Sequence, residues 1–516
     1  MRNHSGHGLS RMLTLGILWG AGCGFSSHAL DGEQPQNTAR GEDAGADESR
    51  RSADGGAADA GGAGEDTATG SGASAQDDGT IVIGDIRAEP VDGASYFFDS
   101  DVVRTYELRL SEADLAAIDA DPRAEQYVEG TLAFEGDEYG PVGIRYKGSI
   151  GAFRGCTAQA RSGEKTCTKL SMKVKINWQD PDHELRGVRK LQFHSMNRDP
   201  SMLKERLGYW VFRQFGIAAP RAVHAKLVVN GELLGLFALV EQVDGRFTRS
   251  RFLEGGKGNL YKEAWPLQAD GSPTSEDELF MQLETNEDES PTFEGMRGLG
   301  EAVAEATPTE RPEAAFRYTD LDYTMRYLAV DRTIGHDDGP LHWYCVGGAA
   351  SCYSHNFYWY EAEGDGGQPG PLWIVAWDLD SAFNVDNPIT TLWFEWDDPS
   401  YGCATMTQAP YVLPLRHPTC DPLQHAWAQQ QEPFLDAVQA LIEGPMRRDL
   451  IEDKLQQWEQ QITPHVREAA ALHADAVTLQ QWEQARAALR DAIDMHLSWA
   501  RERIAAGPRP QSDFLQ

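Results

Sequence analysis

Two aspartates, Asp378 and Asp380, close the apolar run in "PLWIVAWDLDSAF" with one residue between them. On an extended chain, residues two apart point to the same side, so both carboxylates can reach one cation. Hard oxygen donors with room left for water and phosphate oxygens suit Mg2+ or Mn2+. A polar turn at a strand end would use the same residues, so the pattern alone decides nothing. Two further segments change the balance. "GHDDG" places Asp337 and Asp338 after an apolar stretch, and "HNFYWY" opens a strand-like run with His355 and Asn356. An aspartate that takes a hydroxyl proton, an asparagine that ligates metal and a later aspartate that holds metal form the working set of a phosphotransferase site.

The basic counterpart lies upstream, in "KLSMKVKIN". Its strict alternation puts Leu170, Met172, Val174 and Ile176 on one face of a strand, with Lys169, Ser171, Lys173 and Lys175 on the other. The lysine face fits a solvated outer surface, and it also fits a wall for phosphates. Arg145 and Lys147 sit on the preceding strand-like segment, "PVGIRYKGS".

The elements that must position these groups are legible in outline. "VVRTYELRL" reads as a strand, after which Ser111 is placed to cap a helix over "EADLAAIDAD". "SMLKERLGYWVFRQFG" is an amphipathic helix stopped by Gly216. Asn230-Gly231 between two apolar runs predicts a hairpin with a type I′ turn. "DLDYTMRYLAVDRTIGH" is helical, "HNFYWY" and "LWIVAWDLD" pair as strands, and from Pro422 onward the pattern is mostly helical. The expected class is α+β.

Composition bounds the setting. Of 516 residues, 41% are apolar, and 80 acidic against 46 basic side chains give a net charge of −34. That balance disfavours nucleic acid and anionic membrane surfaces as partners. Any anion site must therefore be a local basic patch helped by a metal. Arg2 and Arg11 precede an apolar stretch at 12–19, the pattern of an export signal. "LWGAGC" fits a lipoprotein cleavage box ending at Cys23, with simple secretion as the alternative. Residues 31–80 are Gly, Ala, Asp, Glu and Ser with almost no large apolar side chain, the composition of a disordered tether. The remaining six cysteines form three sequence-local pairs, expected to be disulfides between neighbours in an oxidising compartment. Zinc is the weaker alternative, since no CxxC spacing is present.

The predicted organisation is a signal peptide at 1–23, a tether at 24–84, and an α+β unit at 85–265. An acidic, loop-rich insertion at 266–312, a catalytic and metal-binding region at 313–420, and C-terminal helices at 421–516 follow.

The series "RYKGS", "KLSMKVKI", "LKERLGYWVFRQFGI", "LVVNGELLGLFALVEQVD", "GNLYK", "HDDG" with "HNFYWY", and "WDLDSAF" resembles the spore-coat protein H (CotH) kinase family over roughly 100–460. The resemblance implies an atypical, secreted protein-kinase-like fold of two lobes: an antiparallel N-lobe sheet with a packed helix, and a mostly helical C-terminal part. It implies ATP with Mg2+ or Mn2+, and a Ser/Thr acceptor on an exported or surface protein. Asp338 matches the catalytic aspartate, with Asp337 as its neighbour. Asp378 and Asp380 match the metal-binding W-D-x-D, with Asn356 assisting. Lys169 and Lys173 match the phosphate-contacting strand, with Arg145 and Lys147 as partners and Glu205 as an ion-pair partner. Glu241 and Gln242 fall where an adenine edge would be read. The chain departs from the pattern in an expanded segment between Asp338 and Asn356, and in lacking a Gly-rich phosphate loop. A monomer is expected, touching a membrane only through its lipid anchor. The alternatives are a non-catalytic pseudokinase tethered at a surface, and a D-x-D glycosyltransferase using a nucleotide sugar.

Overall fold

The computed structural model describes residues 85–515 and the short strands Ser74–Ala75 and Ile81–Ile83, apart from 149, 154, 160–161, 288–290, 346–350, 365–368, 385–394 and 406–413. The export signal, Cys23 and most of the tether lie outside the described residues. The tether range nevertheless ends in strands, because Ser74–Ala75 and Ile81–Ile83 pair with each other and then with Ile86–Arg87.

Ser111 caps its helix as expected, accepting the backbone N–H of Asp114. Around it the chain builds β1 (Arg104–Leu110), α1 (Glu112–Ala120), β2 (Val128–Phe134), β3 (Asp137–Tyr146), β4 (Met172–Lys175) and β5 (Lys190–His194). After α2 (Lys204–Gln214) come β6 (Ala222–Val229) and β7 (Glu232–Val240). The seven strands close into a barrel in the order β5-β7-β6-β1-β2-β3-β4. All pairs are antiparallel except β1 with β6. The sequence led to an antiparallel sheet with a packed helix; closure into a barrel comes from the β4–β5 pairing, where Lys173 lies opposite Gln192. The β6–β7 turn has positive φ at both Asn230 and Gly231, as a type I′ turn requires.

Period-2 patterning sorts the barrel wall. Leu170, Met172, Val174 and Ile176 all point into a core shared with Tyr106, Leu132, Ile144 and Phe237. α2 belongs to the other core, where Leu207 and Val211 pack with Leu236, Ala238 and Val240 of β7. Each such fully buried side chain contributes about 1.5–3 kcal/mol, and together they fix α2 to the barrel.

The rest of the chain completes that second core. β8 (Asn259–Lys262), α3 (Leu321–Thr333), β9 (Trp343–Cys345), β10 (Cys352–Tyr353), β11 (Phe357–Glu361) and β12 (Leu372–Ala376) follow in order. β8, β11 and β12 form a three-stranded antiparallel sheet with Phe357 opposite Ala376, so the predicted pairing of "HNFYWY" with "LWIVAWDLD" is present. α4 (Arg448–Leu472) buries Ile451, Leu455, Trp458 and Ile462; α5 (Leu479–Ala506) buries Trp482, Leu489, Ile493 and Leu497. The 266–312 stretch, read as loop-rich, contains helices Glu276–Met281 and Glu294–Glu305. The second buries Met296, Leu299 and Val303 on one stripe, an apolar periodicity masked by its acidic surroundings. Cys156–Cys167, Cys345–Cys352 and Cys403–Cys420 are disulfide-bonded, as neighbours. Among the described residues no helix is long and apolar enough to cross a membrane.

Candidate active site

A cleft of about 340 Å³ opens between the barrel's α2 side and the β8–β11–β12 sheet. Of the residues singled out in the sequence, it gathers Arg145, Lys147, Lys173, Glu205, Gln242, Asp338, Asn356, Asp378 and Asp380. Strand register explains the basic wall, because Arg145 on β3 and Gln192 on β5 both lie opposite Lys173 on β4.

Three expected residues are placed elsewhere. Lys169, ahead of β4, does not line the cleft; its Nζ donates to Leu236 O at 2.6 Å and lies over the Phe237 ring. Glu241 is fully buried, and its carboxylate is ion-paired with Arg221, Arg246 and Arg251. Burial alone would raise its pKa, but the three guanidiniums hold it well below the usual carboxylate range. It is a structural anchor with no edge left for a base; its neighbour Gln242 is the one that faces the cleft. Asp337 is buried beside Asn384, with Oδ2 and Nδ2 3.4 Å apart, and does not line the cleft.

α2 positions the metal-type carboxylates. Its Tyr209 hydroxyl accepts the backbone N–H of Asp378 at 3.0 Å. A Cβ on Gly208 would stand 2.9 Å from Leu379 Cδ1, so glycine there lets the "WDLD" turn sit close against α2. Asp378 has φ of 50° and Asn356 φ of 63°, left-handed conformations that Asp and Asn tolerate better than most residues. No described residue donates a hydrogen bond to the Asp378 carboxylate. Burial, then the charges of Asp380 and Glu205, raise its pKa.

Glu205 also comes from α2, but it does not meet a lysine directly. His194 stands between: its Nδ1 lies 2.8 Å from Glu205 Oε1, and its Nε2 lies 2.7 Å from Lys147 Nζ. Burial and the Lys147 charge push the His194 pKa down to about 3, so the ring is neutral. The expected ion pair is thus replaced by a Lys147–His194–Glu205 chain, and it uses Lys147 where the sequence suggested Lys169 or Lys173.

Asp338 is held by three donors. Tyr344 Oη and His355 Nε2 reach Oδ1 at 2.6 and 2.7 Å, and Asn356 Nδ2 reaches Oδ2 at 3.0 Å. Burial would raise the Asp338 pKa, but His355 and the hydroxyl of Tyr344 lower it well below the usual value. Burial likewise opposes the His355 cation, yet Asp338 raises its pKa to about 9. Tyr344 stacks on His355 with ring centroids 5.2 Å apart.

Six cationic side chains line the cleft (Arg145, Lys147, Lys173, Arg198, Lys262 and, with its raised pKa, His355) against seven carboxylates (Glu125, Glu205, Glu263, Glu284, Asp338, Asp378, Asp380). Such a surface repels a polyanion unless a cation joins it. An unpartnered carboxylate and a surplus of acidic oxygens fit a divalent metal. His194, Arg198, Lys262 and Tyr344 were not identified from sequence. In "KLQFH" the alternation of Leu191 and Phe193 with Gln192 and His194 carries a signal for His194; nothing local marks the others.

A family model described as "CotH kinase protein" matches residues 144–500. The chain belongs to this family. The match runs from the end of β3 nearly to the end of α5, so the CotH region includes every cleft residue named above except Glu125. The inner spore coat protein H of Bacillus subtilis (strain 168) is 22% identical over 211 residues, 39% of this chain and 52% of that protein. The chain therefore spans about half the length of this curated CotH relative.

Proposed function

We propose that this CotH-family protein is a metal-dependent protein kinase that transfers the γ-phosphoryl group of ATP to a serine or threonine hydroxyl on an exported or surface protein. One observation carries the reading: Asp338 shares a single cleft with Asp378 and Asp380, facing Arg145, Lys147, Lys173 and Arg198. In this reading the barrel with α2 serves as the N-terminal lobe of a two-lobed, kinase-like fold. Lys147, Lys173 and Arg145 orient the triphosphate, and Gln242 faces the base. Asp378, Asp380 and Asn356 would hold Mg2+ or Mn2+, which when bound neutralises phosphate charge. Asp338 Oδ2 orients the acceptor hydroxyl and takes its proton as the oxygen attacks phosphorus.

The disulfides suit an oxidising compartment, and the inner spore coat name of the relative suits a surface location. Both support export, with Cys23 as the lipid anchor and the acidic segment as its spacer. We take the protein to work as a monomer on protein substrates, not on nucleic acid.

A non-catalytic role is the second reading, favoured by the two donors already on Asp338 Oδ1. Its signature is nucleotide binding without transfer. The nucleotide-sugar alternative expected a βαβ nucleotide fold in 100–265, and a barrel stands there instead. The test is incubation of the full chain with γ-labelled ATP and Mn2+. Label is expected in the protein or an added acidic protein substrate, and is lost in Asp378→Asn. Label absent from the wild type rejects the kinase reading.

A further inference from the structure

Three potential ligand side chains of different chemistry meet on the barrel side of the cleft. His194 ends β5, Glu205 lies in the first turn of α2, and Asp378 begins the turn after β12. Their ligand atoms all lie within 4.8 Å of one another. Donors about 2.0–2.2 Å from one ion stand at most about 4.4 Å apart, so closing the set needs movements of only a few tenths of an ångström. His194 and Glu205 are 8% and 4% exposed, and the Asp378 carboxylate accepts no hydrogen bond from the described residues. Two carboxylates face one another here across the His194 ring, whose far nitrogen lies 2.7 Å from Lys147 Nζ. A divalent cation between two acidic side chains so close in a buried place would stabilise their charged forms.

We propose that His194, Glu205 and Asp378 form a divalent-metal site that fills without nucleotide and prefers Mn2+ to Mg2+. The imidazole sets the preference. Mg2+ sheds its water reluctantly and favours all-oxygen shells, whereas Mn2+ accepts mixed nitrogen and carboxylate donors. His194 Nδ1 faces Glu205, so Nδ1 is the nitrogen that turns to the ion. The ring proton then resides on Nε2. Lys147, now 2.7 Å from Nε2, loses its acceptor there and swings free toward the cleft. Metal entry would therefore release a lysine for an incoming phosphate. The site shares Asp378 with the proposed kinase chemistry but does not depend on transfer taking place.

The test uses the full chain and MnCl2 alone, with no nucleotide. Electron paramagnetic resonance should show one tightly bound Mn2+ per chain, and electron spin echo modulation should show a directly bound nitrogen. In His194→Gln the nitrogen modulation disappears and Mn2+ affinity falls at least tenfold, while the change in affinity in Lys169→Ala, outside the cleft, is under about threefold. Mg2+ in tenfold excess leaves most Mn2+ in place. Failure of Mn2+ to bind without nucleotide, or bound Mn2+ lacking nitrogen modulation in the wild type, overturns the site. The second readout needs only the wild type, so misfolding of a variant does not blunt it. A protein that binds Mn2+ through nitrogen yet never labels a substrate supports this site and rejects the kinase reading.

Discussion

Replacing Glu241 by glutamine separates two roles for one residue: reader of a nucleobase, or anchor of the barrel. The carboxylate accepts the Arg221 backbone N–H at 3.0 Å and its Nη2 at 2.7 Å, and it also pairs with Arg246 and Arg251. Asp92 is the other acid in the cluster, bridging Arg221 and Arg246. Three guanidiniums against two carboxylates leave one positive charge in place; Glu241→Gln leaves two, around a residue that is 0% exposed. Removing one partner of a buried ion pair costs about 3–5 kcal/mol. The expected result is a loss of that size at pH 7, measured by urea unfolding followed through tryptophan fluorescence. The sign with pH follows from the depressed pKa. Ionisation of Glu241 stabilises the fold fully above the unfolded carboxylate value, roughly 4.5, and that stability is lost as pH falls through the lower folded value. The gap between wild type and variant should therefore narrow on acidification below about pH 4.5. A loss under about 1 kcal/mol, below the range for broken buried pairs, or weaker ATP binding at unchanged stability, would refute the anchor reasoning.

Other outcomes are expected from the same geometry. Lys173→Ala should weaken ATP binding about 10- to 100-fold, the worth of one charge-assisted contact, whereas Lys169→Ala should leave it within about twofold; isothermal titration checks both. Tyr344→Phe removes the 2.6 Å donor on Asp338 and should lower kcat about tenfold, a net hydrogen bond to a charged group being worth roughly 1.5 kcal/mol or more, with KM for ATP unchanged. His355, raised to about 9, contributes stability that is full below about pH 6.5 and is lost as pH climbs through 9. That corresponds to roughly 3 kcal/mol at 1.36 kcal/mol per unit. Urea midpoints taken from pH 6.5 to 9.5 should fall in the wild type more steeply than in His355→Gln.

Local pattern made much of this readable. Leu170, Met172, Val174 and Ile176 declared an inner face, Asn230-Gly231 declared a hairpin, and Ser111 declared a cap, because each signal is written within a few residues. The acidic members of the site and one amide were readable too, since Asp338, Asp378 and Asp380 follow apolar elements and Asn356 opens one. What sequence could not supply was register between distant strands. Whether Lys147 or Lys169 meets the helix of Glu205 depends on how β3, β4 and β5 align, and Lys169 lies just ahead of β4. The resemblance misled at Glu241: the strand ends at Val240, and beyond it Arg221 and two further arginines claim the carboxylate. His194 was overlooked because a lone histidine at a strand end is usually a satisfied core residue; its meaning comes from α2 folding over it.

The central claim is tested most directly by comparing wild type with Asp338→Asn for both ATP affinity and phosphate transferred per chain, in Mn2+ at pH 7. Equal affinities with transfer reduced at least 100-fold in the variant are predicted, the scale of losing a positioned general base. Transfer at the wild-type rate in Asp338→Asn, or a wild type that binds ATP and transfers nothing, would contradict the account.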